Sequence, residues 1–168
     1  MGIGTTYSFK DVVGAISNPL FGVSILLTGG NIGNGSITIS MGTERTTHDI
    51  AADGTVMPSY IAGNNGTVTI ECQQTSVLHK ALLNLYNLAA TAADLDDIAG
   101  WAATNISIRT LLDGSSHQCT GVSFSKVPEK TYKAPGGNIT WSFMAANIVN
   151  TGSVGQTIIT SVLSGLGL

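Results

Sequence analysis

Charge is what this sequence has least of. Only 10% of its 168 residues are Asp, Glu, Lys or Arg, where soluble domains ordinarily carry about 25%. A chain of this size that stays dispersed as a monomer normally shows more, so much of its surface is expected to meet other protein. The net charge of -3 provides no basic footprint for gripping nucleic acid. Long apolar runs are missing as well: nothing approaches the eighteen or so residues of a membrane span, and no membrane partner is expected. No basic-then-apolar leader opens the chain, so secretion by signal peptide is not expected. The Asn-x-Ser/Thr triplets at Asn34, Asn65, Asn105 and Asn138 therefore carry no glycosylation message.

Catalytic and metal chemistry is equally thin. Cys72 and Cys119 have no CxxC spacing and sit in alternating runs, as small buried hydrophobes do. His48, His79 and His117 lie far apart in different kinds of element, without metal-ligand spacing. No Ser, Cys or Thr stands in a nucleophile elbow, and the strands carry too few acids for a paired-carboxylate site. Neither an enzyme nor a cofactor is expected. The glycine-rich run from Thr28 to Ser36 lacks the Lys-Ser/Thr and the following helix of a phosphate loop, and reads as a turn. Asp94, Asp96 and Asp97 lack the glycine and terminal Glu of a calcium loop, and read as a helix cap or solvated turn.

What the chain does have is alternation. From Val122 to Phe143, apolar Val122, Phe124, Ile139, Trp141 and Phe143 alternate with Ser123, Ser125, Thr140 and Ser142. Period two sends apolar groups to one face and hydroxyls to the other. Between the two runs lie Pro128, Lys126, Lys130, Lys133, Pro135 and Gly136-Gly137, so the stretch predicts two antiparallel strands joined by a long, basic, exposed loop. Ser36–Gly42 and Thr67–Gln73 alternate likewise, and strands are also predicted over Tyr7–Ser17, Phe21–Leu27, Asn105–Leu112 and His117–Phe124. Thr75 or Ser76 caps a predicted helix running to about Ala92, with Leu78, Leu82, Leu85 and Ala89 as its apolar stripe, flanked by Val77, Ala81 and Leu88. His79 and Lys80 fall off that stripe and read as solvated. Residues 43–66 are polar and irregular, long for a connection, as binding loops are. The tail 151–168 is apolar, glycine-rich and without charge, and is expected to dock on its own domain (1–150) or on a neighbour.

Two blocks resemble the tail tube proteins of contractile-tailed bacteriophages. They are ADGTVMPSYIAGNNGTVTIECQQTSVLHKALLNLY (Ala52–Tyr86) and CTGVSFSKVPEKTYKAPGGNITWSFMAANI (Cys119–Ile148), and the opening TYSFKDVVGAISNPLFG (Thr6–Gly22) is similar too. The resemblance implies a mainly β fold, a small sandwich or barrel flanked by one main helix. It also implies hexameric rings stacked into a tube, with strands of neighbouring copies joined in one barrel lumen. Double-stranded DNA and a tape-measure protein would pass through that lumen without specific binding, a tail sheath protein would wrap the outside, and the chain would reside in the virion tail. On that reading Thr38, Ser40, Thr67, Thr69, Glu71, Ser123, Ser125, Thr140 and Ser142 line the lumen. Glu44, Arg45, Asp49, Asp53, Lys126, Lys130 and Lys133 meet neighbouring subunits. A tube of a type VI-like injection machine and a monomeric β-sandwich binding module are the competing readings.

Overall fold

The computed structural model describes residues 6–28, 32–152 and 164–167. Among the described residues nine strands and one main helix follow one another: β1 Val12–Asn18, β2 Val23–Leu26, β3 Asn34–Met41, β4 Thr46–Ile50, β5 Val56–Tyr60, β6 Gly66–Gln73, α1 Val77–Asp94, β7 Thr104–Thr110, β8 Ser116–Phe124 and β9 Asn138–Thr151. Seven strands form one sheet in the order β2-β1-β7-β8-β9-β6-β3, and β4 and β5 pair separately. Every pairing is antiparallel.

The sheet curls because its apolar side has to be closed. β2 and β6 stand five places apart in the sheet, about 24 Å if flat, yet α1 packs against both of them. One helix about 10 Å across can touch both only if the strands bend around it. Beneath it Leu78, Leu82 and Leu85 meet the inward residues of β6 and β9 (Val68, Ile70, Ile139, Trp141 and Phe143), which are essentially without solvent contact. Aromatic rings fill the centre, with Phe124 edge-on to Trp141 at 5.6 Å and Tyr86 edge-on to Phe124 at 5.4 Å between centroids.

Local chemistry sets the boundaries. Ser76 caps α1, its hydroxyl accepting from the His79 N–H at 3.1 Å. The strand expected from Tyr7 instead begins at Val12, because Ser8 closes a short 3-10 turn over Phe9–Asp11. Asn18 ends β1 fully buried. Its Nδ2 donates to the Gly100 carbonyl (3.0 Å) and to Thr104 Oγ1 (3.2 Å), while its Oδ1 accepts from the N–H groups of Leu20 and Phe21. In β8 the register against β7 shifts by one residue, and Gly121 sits there at φ +62. That left-handed conformation suits glycine, and a Cβ would stand 2.8 Å from that of Ala146.

Two expectations for α1 are corrected. His79 is 5% exposed, not solvated, and accepts a hydrogen bond from Trp141 Nε1 at 3.1 Å. Val77 and Leu88, placed beside the apolar stripe, point outward at 65% and 44% exposure. The irregular segment 43–66 is also corrected, because it contains the β4–β5 hairpin. Most of the apolar tail expected over 151–168 lies outside the described residues.

Candidate functional site: a hydroxyl face and two opposed ends

All nine positions expected to line a surface fall on one face of the sheet, opposite the core. Register places them in cross-strand rows. Thr38 pairs with Thr69, Thr69 with Ser142, and the Ser125 N–H donates to the Ser142 carbonyl at 3.0 Å. On one side of that row Glu71 pairs with Thr140, and on the other Ser40 pairs with Thr67. Ser123 stands one residue from Phe124 on β8, opposite Met144. The rows cover the four adjacent strands β3, β6, β9 and β8. Glu71 is the acid among the nine, and its Oε1 accepts from Asn138 Nδ2 at 2.9 Å.

Four further residues share this surface. Ser36 pairs with Glu71, and exposed Met144 lies between Thr67 and Ser123. Farther along the same side of the sheet, Gln118 donates to the Ser107 hydroxyl at 2.8 Å. Ser36 opens the alternating run Ser36–Gly42 and Met144 follows directly on the run that ends at Phe143, but only the register between strands brings them together.

The seven charged candidates fall at the two ends of these strands. β3 runs into the hairpin and β6 leaves it, so Glu44, Arg45, Asp49 and Asp53 stand at one end. The loop before Asn138 holds Lys126, Lys130 and Lys133 at the other, since Asn138 pairs with Gln73 at the far end of β6. The eight residues of β6 separate the ends by about 24 Å.

Arg45 organises the base of the hairpin. Its guanidinium donates to the Tyr60 hydroxyl at 2.8 Å and to Asn64 Oδ1, and its carbon lies 5.9 Å from the Tyr60 ring centroid. At the tip the Thr55 N–H donates to Asp53 Oδ1 at 2.9 Å, and this bond holds the carboxyl below its ordinary pKa. Ile50, Val56 and Tyr60 share one face of the hairpin and are 46–72% exposed, so this ribbon has no core of its own. At the opposite end the Lys130 ammonium lies over the Tyr132 ring at 5.1 Å.

Both thiols face the core. Cys72 and Cys119 are free and buried; burial raises the pKa of both, that of Cys119 to about 11. A thiol so protonated is a poor nucleophile and a poor metal ligand. Among the described residues no group of three or more His, Cys, Asp or Glu is placed to hold a metal ion.

The family model described as "Bacteriophage PhiTE tail tube protein" matches residues 4–152. No curated protein sequence matches the chain. Among solved structures it is similar to a chain of the anti-feeding prophage cap, at 8% identity and TM-score 0.56, covering 91% of this chain and 95% of that one. It is also similar to a chain of the sheath-tube complex of an extracellular contractile injection system, PVC, in its extended state. There the identity is 10% and the TM-score 0.52, with coverage of 88% and 92%. Identities this low speak to the fold, and the fold is that of the tail tube type, mainly β with one helix. The matched segment takes in every strand and α1, with all nine residues of the hydroxyl face: the chain belongs to the phage tail tube protein family.

Proposed function

We propose that the chain is the repeating subunit of a hollow inner tail tube, arranged as hexameric rings stacked end to end, through which double-stranded DNA leaves the particle. The observation that carries this is the hydroxyl face: four adjacent strands present Ser and Thr in register, with one glutamate and no lysine or arginine among the nine positions. A wall rich in lysine would bind the duplex by releasing counterions and slow its passage, and a hydroxyl wall does not. If each copy lends four strands, a ring has twenty-four, with a circumference of about 115 Å and a backbone diameter of roughly 37 Å. A duplex fits inside that bore with side chains in place, as does a tape-measure protein before it.

The ends of the strands supply the stacking contacts. The hairpin carries three acids against Arg45, and the far loop carries three lysines against Glu129. A copy translated along the strands sets one end over the other, with opposite net signs facing. A tail sheath protein then covers the surface away from the bore. The place of action is the virion tail, after assembly in the bacterial cytoplasm.

Electron microscopy of the purified chain tests this reading. Open-ended hollow filaments with six-fold averages are expected, and a monomer at every concentration overturns it. The similar solved structures come from injection systems, which favours a tube for other cargo as the second reading. Nucleic acid inside tubes isolated with their particle separates the two.

A further inference from the structure

The strands outside the hydroxyl patch, β7, β1 and β2, end in two apolar surfaces that point in opposite directions. At the Asn18 end of β1, the direction in which β8 runs into the lysine loop, stand Leu20, Leu95 and Ile98. They share one corner, because Phe21, next to Leu20, lays its ring on Gly100 at the end of the turn Ile98–Gly100. A Cβ on Gly100 would lie 2.3 Å from that ring. The buried Asn18 amide ties the same turn to Gly100 and Thr104, so Leu20 is held out as a fixed knob, which binds at little ordering cost. At the other end Val12 pairs with Thr110 and the Leu111 N–H donates to the Asp11 carbonyl at 2.9 Å. This brings Tyr7, Leu111 and Leu112 together, with a hollow of about 60 Å³ between Tyr7 and Leu112. All six side chains are 55–76% exposed.

The charges around the two surfaces differ. At the corner α1 closes with the Asp97 N–H on the Ala92 carbonyl (2.9 Å) and the Asp96 N–H on the Ala93 carbonyl (3.2 Å). Asp96 takes the left-handed position at φ +69, where glycine is usual. Asp94, Asp96 and Asp97 also crowd the negative end of the helix dipole, with no basic residue in the last turn. Both choices cost local stability, and a cation from outside would offset the second. The opposite surface has exposed Lys10 and Arg109 beside it. Of the acids there, Asp11 is half-buried, and Asp113 accepts from the N–H and hydroxyl of Ser115 in its own turn.

Resting on the tube reading, we infer that these two surfaces meet between copies in successive rings. The Leu20–Leu95–Ile98 corner of one copy seats on the Tyr7–Leu111–Leu112 surface of the next, and Lys10 and Arg109 reach its aspartates. A second copy is the fitting occupant because the surfaces close the two ends of the same strands. The translation that stacks hairpin over lysine loop therefore carries one toward the other and leaves neither open. A sheath protein on the corner would cover Leu20 but not Tyr7. The signs also run opposite to those of the inner contact, where the lysines stand at the corner's end and the acidic hairpin at the other. An inverted copy would set aspartates on aspartates here and lysines on lysines there. Such like-charge meetings reject the wrong orientation, so the outer contact gives the stack one direction.

Crosslinking and charge exchange test the contact. Leu20 lies past one end of the seven-residue β1 and Leu112 past the other, about 20 Å apart in one copy and beyond disulfide reach. Mild oxidation of assembled Leu20→Cys/Leu112→Cys, or of Ile98→Cys/Leu111→Cys, should move more than half the chains into a covalent ladder. Leu20→Cys alone should leave monomers, since the native thiols are buried. Leu20→Asp/Ile98→Asp should cut stacking at least tenfold and leave folded single rings in electron micrographs. Asp96→Lys/Asp97→Lys should unstack the rings likewise, and adding Lys10→Glu/Arg109→Glu should restore them. Tubes that give no ladder through either pair, or that stack normally with Leu20→Asp/Ile98→Asp, overturn the contact while the tube stands. So does a Leu20→Cys thiol that reacts freely with maleimide in bare tubes and is shielded only once sheath protein is added. A chain that forms neither rings nor tubes overturns the tube reading itself.

Discussion

Trp141 Nε1 donates a hydrogen bond to Nδ1 of His79 at 3.1 Å, with both side chains buried between α1 and β9. The acceptor must be a neutral imidazole with its proton on Nε2. Burial first, and the Lys130 ammonium second, lower the His79 pKa. The unfolded chain therefore takes up a proton at this residue before the folded one does as pH falls. Stability contributed here is complete above about pH 6.5 and is lost below it, by no more than about 1.4 kcal/mol per pH unit. Urea unfolding should show a rise in stability between about pH 5 and 7. His79→Phe should flatten this titration and lower stability at pH 8 by about 2 kcal/mol, because a buried indole N–H is then left without a partner.

Gly121→Ala should destabilise the fold by at least about 1–2 kcal/mol, the penalty of a left-handed backbone for a residue with a Cβ. The contact with Ala146 adds to it. A lower urea midpoint with an unchanged slope is the expected result, because the bulge is strained but the native surface is unaltered.

Replacing Arg45, Asp49 and Asp53 together with alanine should abolish tubes while the monomer stays folded. Their side chains are exposed and their hydrogen bonds stay within the hairpin and its base, so any loss of order is expected to stay local to it and to leave the seven-stranded sheet folded. Circular dichroism and a thermal midpoint within a few degrees of the parent check the fold, and electron microscopy checks assembly. Unimpaired tubes would remove the hairpin from the stacking contact.

Thr69→Lys with Ser142→Lys places two ammonium groups on adjacent strands of the hydroxyl face. Tubes of this variant should retain duplex DNA at about 50 mM salt and release it by about 500 mM, whereas the parent should retain none at either. A filter-binding assay across salt reads the difference.

The sheet was largely legible because its core strands advertise both faces. β6 alternates buried with less buried residues throughout and β9 does so from Asn138 to Ala146, and Ser76 with the Leu78–Leu82–Leu85 stripe announced the helix. The β4–β5 hairpin was not legible, because all ten of its residues are exposed. With no buried side there is no period-two signal, and Pro58 within β5 argued against a strand. His79 was hidden for another reason. On a helical wheel it falls at the border of the stripe, and its burial is decided by the Trp141 N–H on a strand sixty-two residues away. An inward tryptophan needs an acceptor, and that need was the available clue. The rows of the hydroxyl face were not legible, since they depend on which strands become neighbours.

β9 bonds to β6 through its first eight residues and to β8 from Phe143 to Thr151, overlapping at the middle. It is thus the one continuous tie between the two portions of the sheet. An axial pull on such a strand loads its whole row of hydrogen bonds in shear at once, instead of peeling them open in turn. In the proposed tube, with strands along its axis, a wall of such ties would resist stretching most strongly along its own length.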